Sequence, residues 1–209
     1  MSLIKKLYRK LFSAGGTVNS VIKDWENAGK PLPPPHLVKQ LAINSLQSKS
    51  EYGIFIETGT YLGDMVEAQK NNFAQIFSIE LGEELYRDAV KRFEADKNVT
   101  ILQGDSSDVL IALCKKIDKP AIFWLDGHYS AGITARGKKQ CPIYEELSAI
   151  FNSGPQGHIL LIDDARLFIG KDDYPEIVEL ENFIKKHRPD ADVFVEDDII
   201  HVFLNDSEK

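Results

Sequence analysis

The run Ile54-Phe55-Ile56-Glu57-Thr58-Gly59-Thr60-Tyr61-Leu62-Gly63 decides the fold. Apolar residues stop at an acid, a glycine turn follows, and a helical period begins beyond it, so the segment reads as strand, tight turn and helix start. Working outward, the same pattern recurs. Short apolar runs at Gly53–Glu57, Gln75–Glu80, Val99–Leu102, Ala121–Asp126 and His158–Asp163 alternate with helical periods near 63–71, 83–95, 106–116 and 142–152. Such alternation predicts a parallel sheet covered by helices on both faces. A last helix near 176–187 precedes Asp192–Glu196 and Ile199–Leu204, which only the pair Asp197-Asp198 separates. Two strands that close together pair antiparallel. The expected fold is α/β: a doubly wound, mostly parallel seven-stranded sheet that ends in an antiparallel hairpin.

The 209 residues suit one main core, and 43% hydrophobic with 27% charged residues describes a globular chain. With 25 basic against 32 acidic side chains the net charge is −7, which argues against a nucleic-acid partner and for a small substrate. No apolar run approaches the roughly 20 residues of a membrane span, and the first residues lack the pattern of a secretory signal. A cytoplasmic location with reduced thiols at Cys114 and Cys141 is expected. Residues 1–50 read as an N-terminal helical extension. Helices near 18–28 and 36–47 flank a stiff connector containing Pro31, Pro33, Pro34 and Pro35, and residues 51–209 form the main domain. Within residues 2–12, Lys5, Lys6, Arg9 and Lys10 lie opposite Leu3, Ile4, Leu7, Leu11 and Phe12 at helical spacing. That stripe suits peripheral contact with anionic lipid, or docking on the chain's own surface. An oligomer is compatible with the sequence.

In open parallel sheets, ligands gather beyond the carboxyl ends of the strands. Glu57, Thr58, Gly59, Thr60 and Gly63 occupy the first such position, with Gly59 expected to let the backbone approach a ligand and Gly63 to relieve crowding at the helix entrance. The glycine spacing is not that of a dinucleotide site. A carboxylate at Glu57 would repel a pyrophosphate but attract an ammonium, which favours S-adenosylmethionine over a nicotinamide dinucleotide. Glu80, 21 residues beyond Gly59, is placed to accept ribose hydroxyls, and Asp105 with Ser106 is placed to meet adenine.

The fourth and fifth runs end in Asp126 and in Asp163-Asp164. If the strands are neighbours these acids converge, and they repel one another unless a proton or a cation sits among them. An all-oxygen set suits Mg2+ or Mn2+. The alternative is that Asp163 and Asp164 cap a following helix while Asp126 orients a loop. The stretch from Gly127 to Cys141 has no strand or helix period, as lids and binding loops often lack one. Its Tyr129, Ser130 and Thr134, together with Arg166, are candidate contacts for the acceptor.

Over about residues 50–205 the chain resembles the Rossmann-like class I S-adenosylmethionine-dependent methyltransferases. Asp126-Gly127-His128-Tyr129 with Asp163-Asp164 is similar to the metal-dependent O-methyltransferases of the macrocin and deoxysugar type. That resemblance implies a magnesium ion on Asp126, Asp163 and Asp164, with Asp126 also bordering the cofactor. The family's aspartate base is replaced by His128, and Tyr61 stands where many members have a second glycine. The expected activity is metal-assisted O-methylation of a sugar or other small-molecule hydroxyl, with His128 as base. Two other readings stand beside it: a metal-dependent hydrolase or phosphoryl-transfer enzyme using the same acids, and a non-catalytic binding module with this fold.

Overall fold

The computed structural model describes residues 20–50, 52–127, 141–152 and 157–205. The segment 2–12 therefore lies outside the described residues. The chain runs α1 (Ser20–Asn27), α2 (His36–Ser50), β1 (Ile54–Thr58), α3 (Asp64–Gln69), β2 (Gln75–Glu80), α4 (Glu83–Arg92), β3 (Val99–Gln103), α5 (Ser106–Cys114), β4 (Ile122–Leu125) and α6 (Ile143–Phe151). It continues through β5 (Ile159–Ile162), a 3-10 turn (Ala165–Leu167), β6 (Ile169–Lys171), β7 (Tyr174–Glu176), α7 (Ile177–His187), β8 (Asp192–Glu196) and β9 (Ile199–Phe203).

The seven-stranded sheet has the order β3-β2-β1-β4-β5-β9-β8, parallel from β3 to β5 and antiparallel through β9 and β8. Every residue of β1, β4, β5 and β9 is buried, as expected for strands with helices on both faces. Strand alternation sorts them. Ile56, Ile79, Phe123, Leu125 and Leu160 pack with Leu110, Leu147, Ile150 and Ile184 from α5, α6 and α7. Phe55, Ile76, Trp124 and Leu161 point the other way, onto Ala42, Ile43 and Leu46 of α2 and Met65 and Val66 of α3. Helix α2 thus belongs to the sheet's own core, while α1 adds Ile22 and Trp25 against Val38.

The terminal hairpin closes as expected. Asp197 and Asp198 both have positive φ, 50° and 66°, which a two-residue turn between right-twisted strands requires. Asp172 and Asp173 repeat that geometry, with φ 53° and 68°, and join β6 to β7 as a second hairpin. Three-residue strands carry too few alternations to register in the sequence.

Both cysteines are free and buried, and burial pushes their thiols up to about 12, so neither is a nucleophile at neutral pH. His158 is buried at the start of β5; the Ala121 amide donates to its Nδ1 at 3.0 Å, and its ring meets Phe123 edge-on. Burial lowers it to about 4. The unfolded state, near 6.5, then binds the proton that the folded state refuses, so this contribution is complete above pH 6.5 and is lost as pH falls toward 4. Relative to His158→Gln, the wild-type chain should lose roughly 3 kcal/mol of unfolding free energy across that window. Parallel pH profiles from urea denaturation would refute the assignment.

Candidate functional site

The strand order reverses between β1 and β4, where crossovers leave to opposite sides and a crevice opens beyond the strand ends. Alternation from Phe55, Trp124 and Leu161 carries Glu57, Asp126 and Asp163 onto one face, the face that α2 crosses. Asp126 and Asp163 follow adjacent strands, tied by the Asp163 amide donating to the Leu125 carbonyl at 3.0 Å.

Glu57 is 2% exposed. Ser78 Oγ donates to its Oε2, and Thr60 Oγ1 lies 2.6 Å from the same serine, giving a relay Thr60–Ser78–Glu57 across β1 and β2. Burial raises the Glu57 carboxyl well above the ordinary range, the Ser78 bond opposes this, and the charges of Asp126 and Glu80 add to it. Glu57, Glu80 and Asp126 therefore share one electrostatic neighbourhood, as the sequence reading required. Ser78 carries no signal of its own in the sequence; its register opposite Glu57 emerges only from the sheet.

Glu80 is fixed on both oxygens. Tyr61 N donates to Oε2 at 2.8 Å and Gly82 N to Oε1 at 2.7 Å, which sets the carboxylate plane and leaves each oxygen a further lone pair. Tyr61 adopts φ 49°, the left-handed region in which glycine carries no penalty. The glycine pattern is therefore altered without altering the turn, and it leaves an exposed aromatic ring at the rim.

Gly59 also has a reason within the fold. At φ 86° a Cβ would stand 2.3 Å from the Asp126 carbonyl oxygen, so the glycine admits the backbone at the end of β4. Thr58 completes that junction: its carbonyl and Oγ1 accept from Asp126 N at 3.1 and 3.2 Å. Gly63 behaves as expected, since a Cβ there would meet the Phe93 ring at 2.7 Å. Asp105 is the N-cap of α5, accepting from Ser107 N and Oγ at 3.0 and 2.6 Å, with buried Ser106 opening the helix.

The acids expected to hold a metal do converge, but a cation of the chain already stands among them. Lys39, from the first turn of α2, places Nζ 2.5 Å from Asp163 Oδ2 and 3.3 Å from Asp164 Oδ1. Burial alone would lower this ammonium; Asp163, Asp164 and Asp126 overcome it and hold it above the usual lysine range. Burial and the charge of Asp126 act to raise Asp163, and Lys39, at 2.5 Å, acts against them to keep it ionised. Arg166 donates to Asp164 at 2.7 Å and also to Asp198 in the β8–β9 turn, so its charge is part of the site's frame. Among the described residues, no group of three or more His, Cys, Asp or Glu side chains is arranged to hold a metal. The residues present do not fit the expected Mg2+ or Mn2+ ion. Asp163 and Asp164 do not act as side-chain caps of a helix either: Asp164, at φ 56°, precedes the 3-10 turn without capping it.

Lys39, His36 and Asp198 escaped the sequence reading. His36, one helical turn before Lys39, is held below the usual histidine range by burial and by Lys39, while Asp64 and Asp126 oppose that shift. His128, Tyr129, Ser130 and Thr134 lie outside the described residues.

No protein-family model matches the chain, and no curated protein matches it. Solved structures do. An O-methyltransferase from Bacillus cereus in complex with SAH aligns over 96% of this chain and 97% of its own, with TM-score 0.59 and 13% identity. The O-methyltransferase TomG from Streptomyces achromogenes, in complex with SAM, aligns over 98% and 99% with the same score and identity. A putative O-methyltransferase from Klebsiella pneumoniae covers 97% of both chains at TM-score 0.58 and 13% identity. The chain has their fold. No helix among the described residues is long and apolar enough to cross a membrane.

Proposed function

We propose that this protein is an S-adenosylmethionine-dependent O-methyltransferase acting on a small-molecule or glycan hydroxyl. The observation that carries the reading is the trio Glu57, Glu80 and Asp126, coupled through their charges at the point where the strand order reverses. Structures with this fold include ones in complex with SAM and SAH. Buried carboxyls that repel one another favour a cationic ligand, and the cofactor carries both an ammonium and a sulfonium. It supplies an electrophilic methyl group to the acceptor oxygen. Glu57 pairs with the ammonium end, Glu80 takes the ribose hydroxyls, and Asp105 with Ser106 borders the adenine. Ser78 and Thr60 orient Glu57, while Tyr61 N and Gly82 N orient Glu80. Aligning donor and acceptor is the main contribution of such a site. His128 is the proposed base: an imidazole, with an unperturbed pKa of about 6.5, suits removal of the hydroxyl proton.

The acid cluster filled by Lys39 also weighs against a metal-dependent hydrolase. Calorimetric titration with S-adenosylhomocysteine tests the reading. Pairing Glu57 with an ammonium favours its ionised form, so binding should be tighter at pH 8 than at pH 6, with heats that vary with the buffer's ionisation enthalpy. Absence of binding at both pH values would overturn the proposal; binding without proton release would remove Glu57 from it.

A further inference from the structure

We propose that Lys39 is the resident cation of the acid cluster at the ends of β4 and β5, so the site operates without a divalent metal. Asp126, Asp163 and Asp164 face a single region, and three carboxylates there need positive charge. The chain provides it. Lys39 reaches from the helix face that packs on Trp124 and Leu161, with its side chain 13% exposed against 2% for Asp163 and 13% for Asp164. Its compact ammonium has three donors and no lone pair, so it bridges two carboxylates and offers nothing to a metal. Arg166 binds Asp164 Oδ1 from the other side at 2.7 Å. A magnesium ion demands near-octahedral oxygen ligation, and here an ammonium and a guanidinium already hold two of the oxygen donors it would use.

The assignment of the cation rests on these contacts alone. Its consequence for chemistry rests on the methyl-transfer reading: an acceptor has no metal to chelate, so a single hydroxyl suffices and a second oxygen at chelating distance confers no advantage. The substrate class narrows to monodentate hydroxyls, oriented by the protein's own groups.

The test uses the full chain after chelator treatment. Titration with MnCl2, followed calorimetrically and by the manganese electron-spin signal, should show no site. EDTA should leave the Tm and the affinity for S-adenosylhomocysteine unchanged. Lys39→Met should lower Tm by on the order of 10 °C by removing the ammonium from the buried Asp163 carboxylate, and Asp163→Asn added to it should restore at least half of the loss. Manganese binding by the wild-type chain that Asp163→Asn abolishes would overturn the proposal. So would a Lys39→Met protein as stable as wild type. Should Lys39→Met fail to fold, the manganese titration decides alone. Loss of S-adenosylhomocysteine binding with manganese still silent would strike the methyl-transfer reading and leave the cation assignment standing.

Discussion

Gly59→Ala should destabilise the protein by about 3–5 kcal/mol, measured by urea denaturation, because two penalties act at one atom. The residue's φ of 86° is unfavourable for any L side chain, and the added Cβ would fall 2.3 Å from the Asp126 carbonyl oxygen. That oxygen is backbone, on a residue whose amide is held by Thr58, so relieving the contact requires the chain itself to shift. Gly29 provides the control. It has φ 81°, and a methyl group added there would meet nothing within 4 Å, so Gly29→Ala carries the conformational penalty alone, roughly 1–2 kcal/mol. The difference between the two variants isolates the approach of β1 to β4. Equal losses would show that the junction yields easily and that Gly59 is an ordinary turn residue.

Glu80→Ala should weaken S-adenosylhomocysteine binding on the order of 100-fold, equivalent to about 2.7 kcal/mol, while the sheet stays folded. Its carboxylate organises the β1 exit through Tyr61 N and the β2 exit through Gly82 N, and those two turns border the proposed ribose position. Glu83→Ala is the matched control. Glu83 opens α4, pairs with Arg87 at the surface as an i,i+4 bridge, and should leave affinity unchanged. An affinity loss shared by both variants would point to bulk charge rather than to a ribose contact.

The fold was legible because its central strands are buried and its turns carry chemistry of their own. Ile54–Thr58 and Gln75–Glu80 announce themselves as apolar runs that end at acids, and Asp197-Asp198 supplies the two positive-φ residues of a tight hairpin. The β6–β7 hairpin was not legible: Ile169, Gly170 and Lys171 are all exposed, so no burial pattern marks them. The candidate site was legible in part, for a related reason. Acids at strand ends can be read from the chain one strand at a time, whereas the partner that neutralises them lies 124 residues away from Asp163 on a helix before the sheet begins. That a proton or a cation must sit among them followed from the sequence; the place of Lys39 there depended on tertiary packing. Gly59 shows the converse, a residue correctly singled out whose freedom serves the neighbouring strand.

Co-crystallisation with S-adenosylhomocysteine tests the central assignment most directly. The ribose hydroxyls should hydrogen-bond to Glu80 and the amino group should lie on the Glu57 side of the switch point, with Lys39 still bridging Asp163 and Asp164. Ligand density seated away from the ends of β1, β2 and β4, or a divalent ion in place of the Lys39 ammonium, would contradict it.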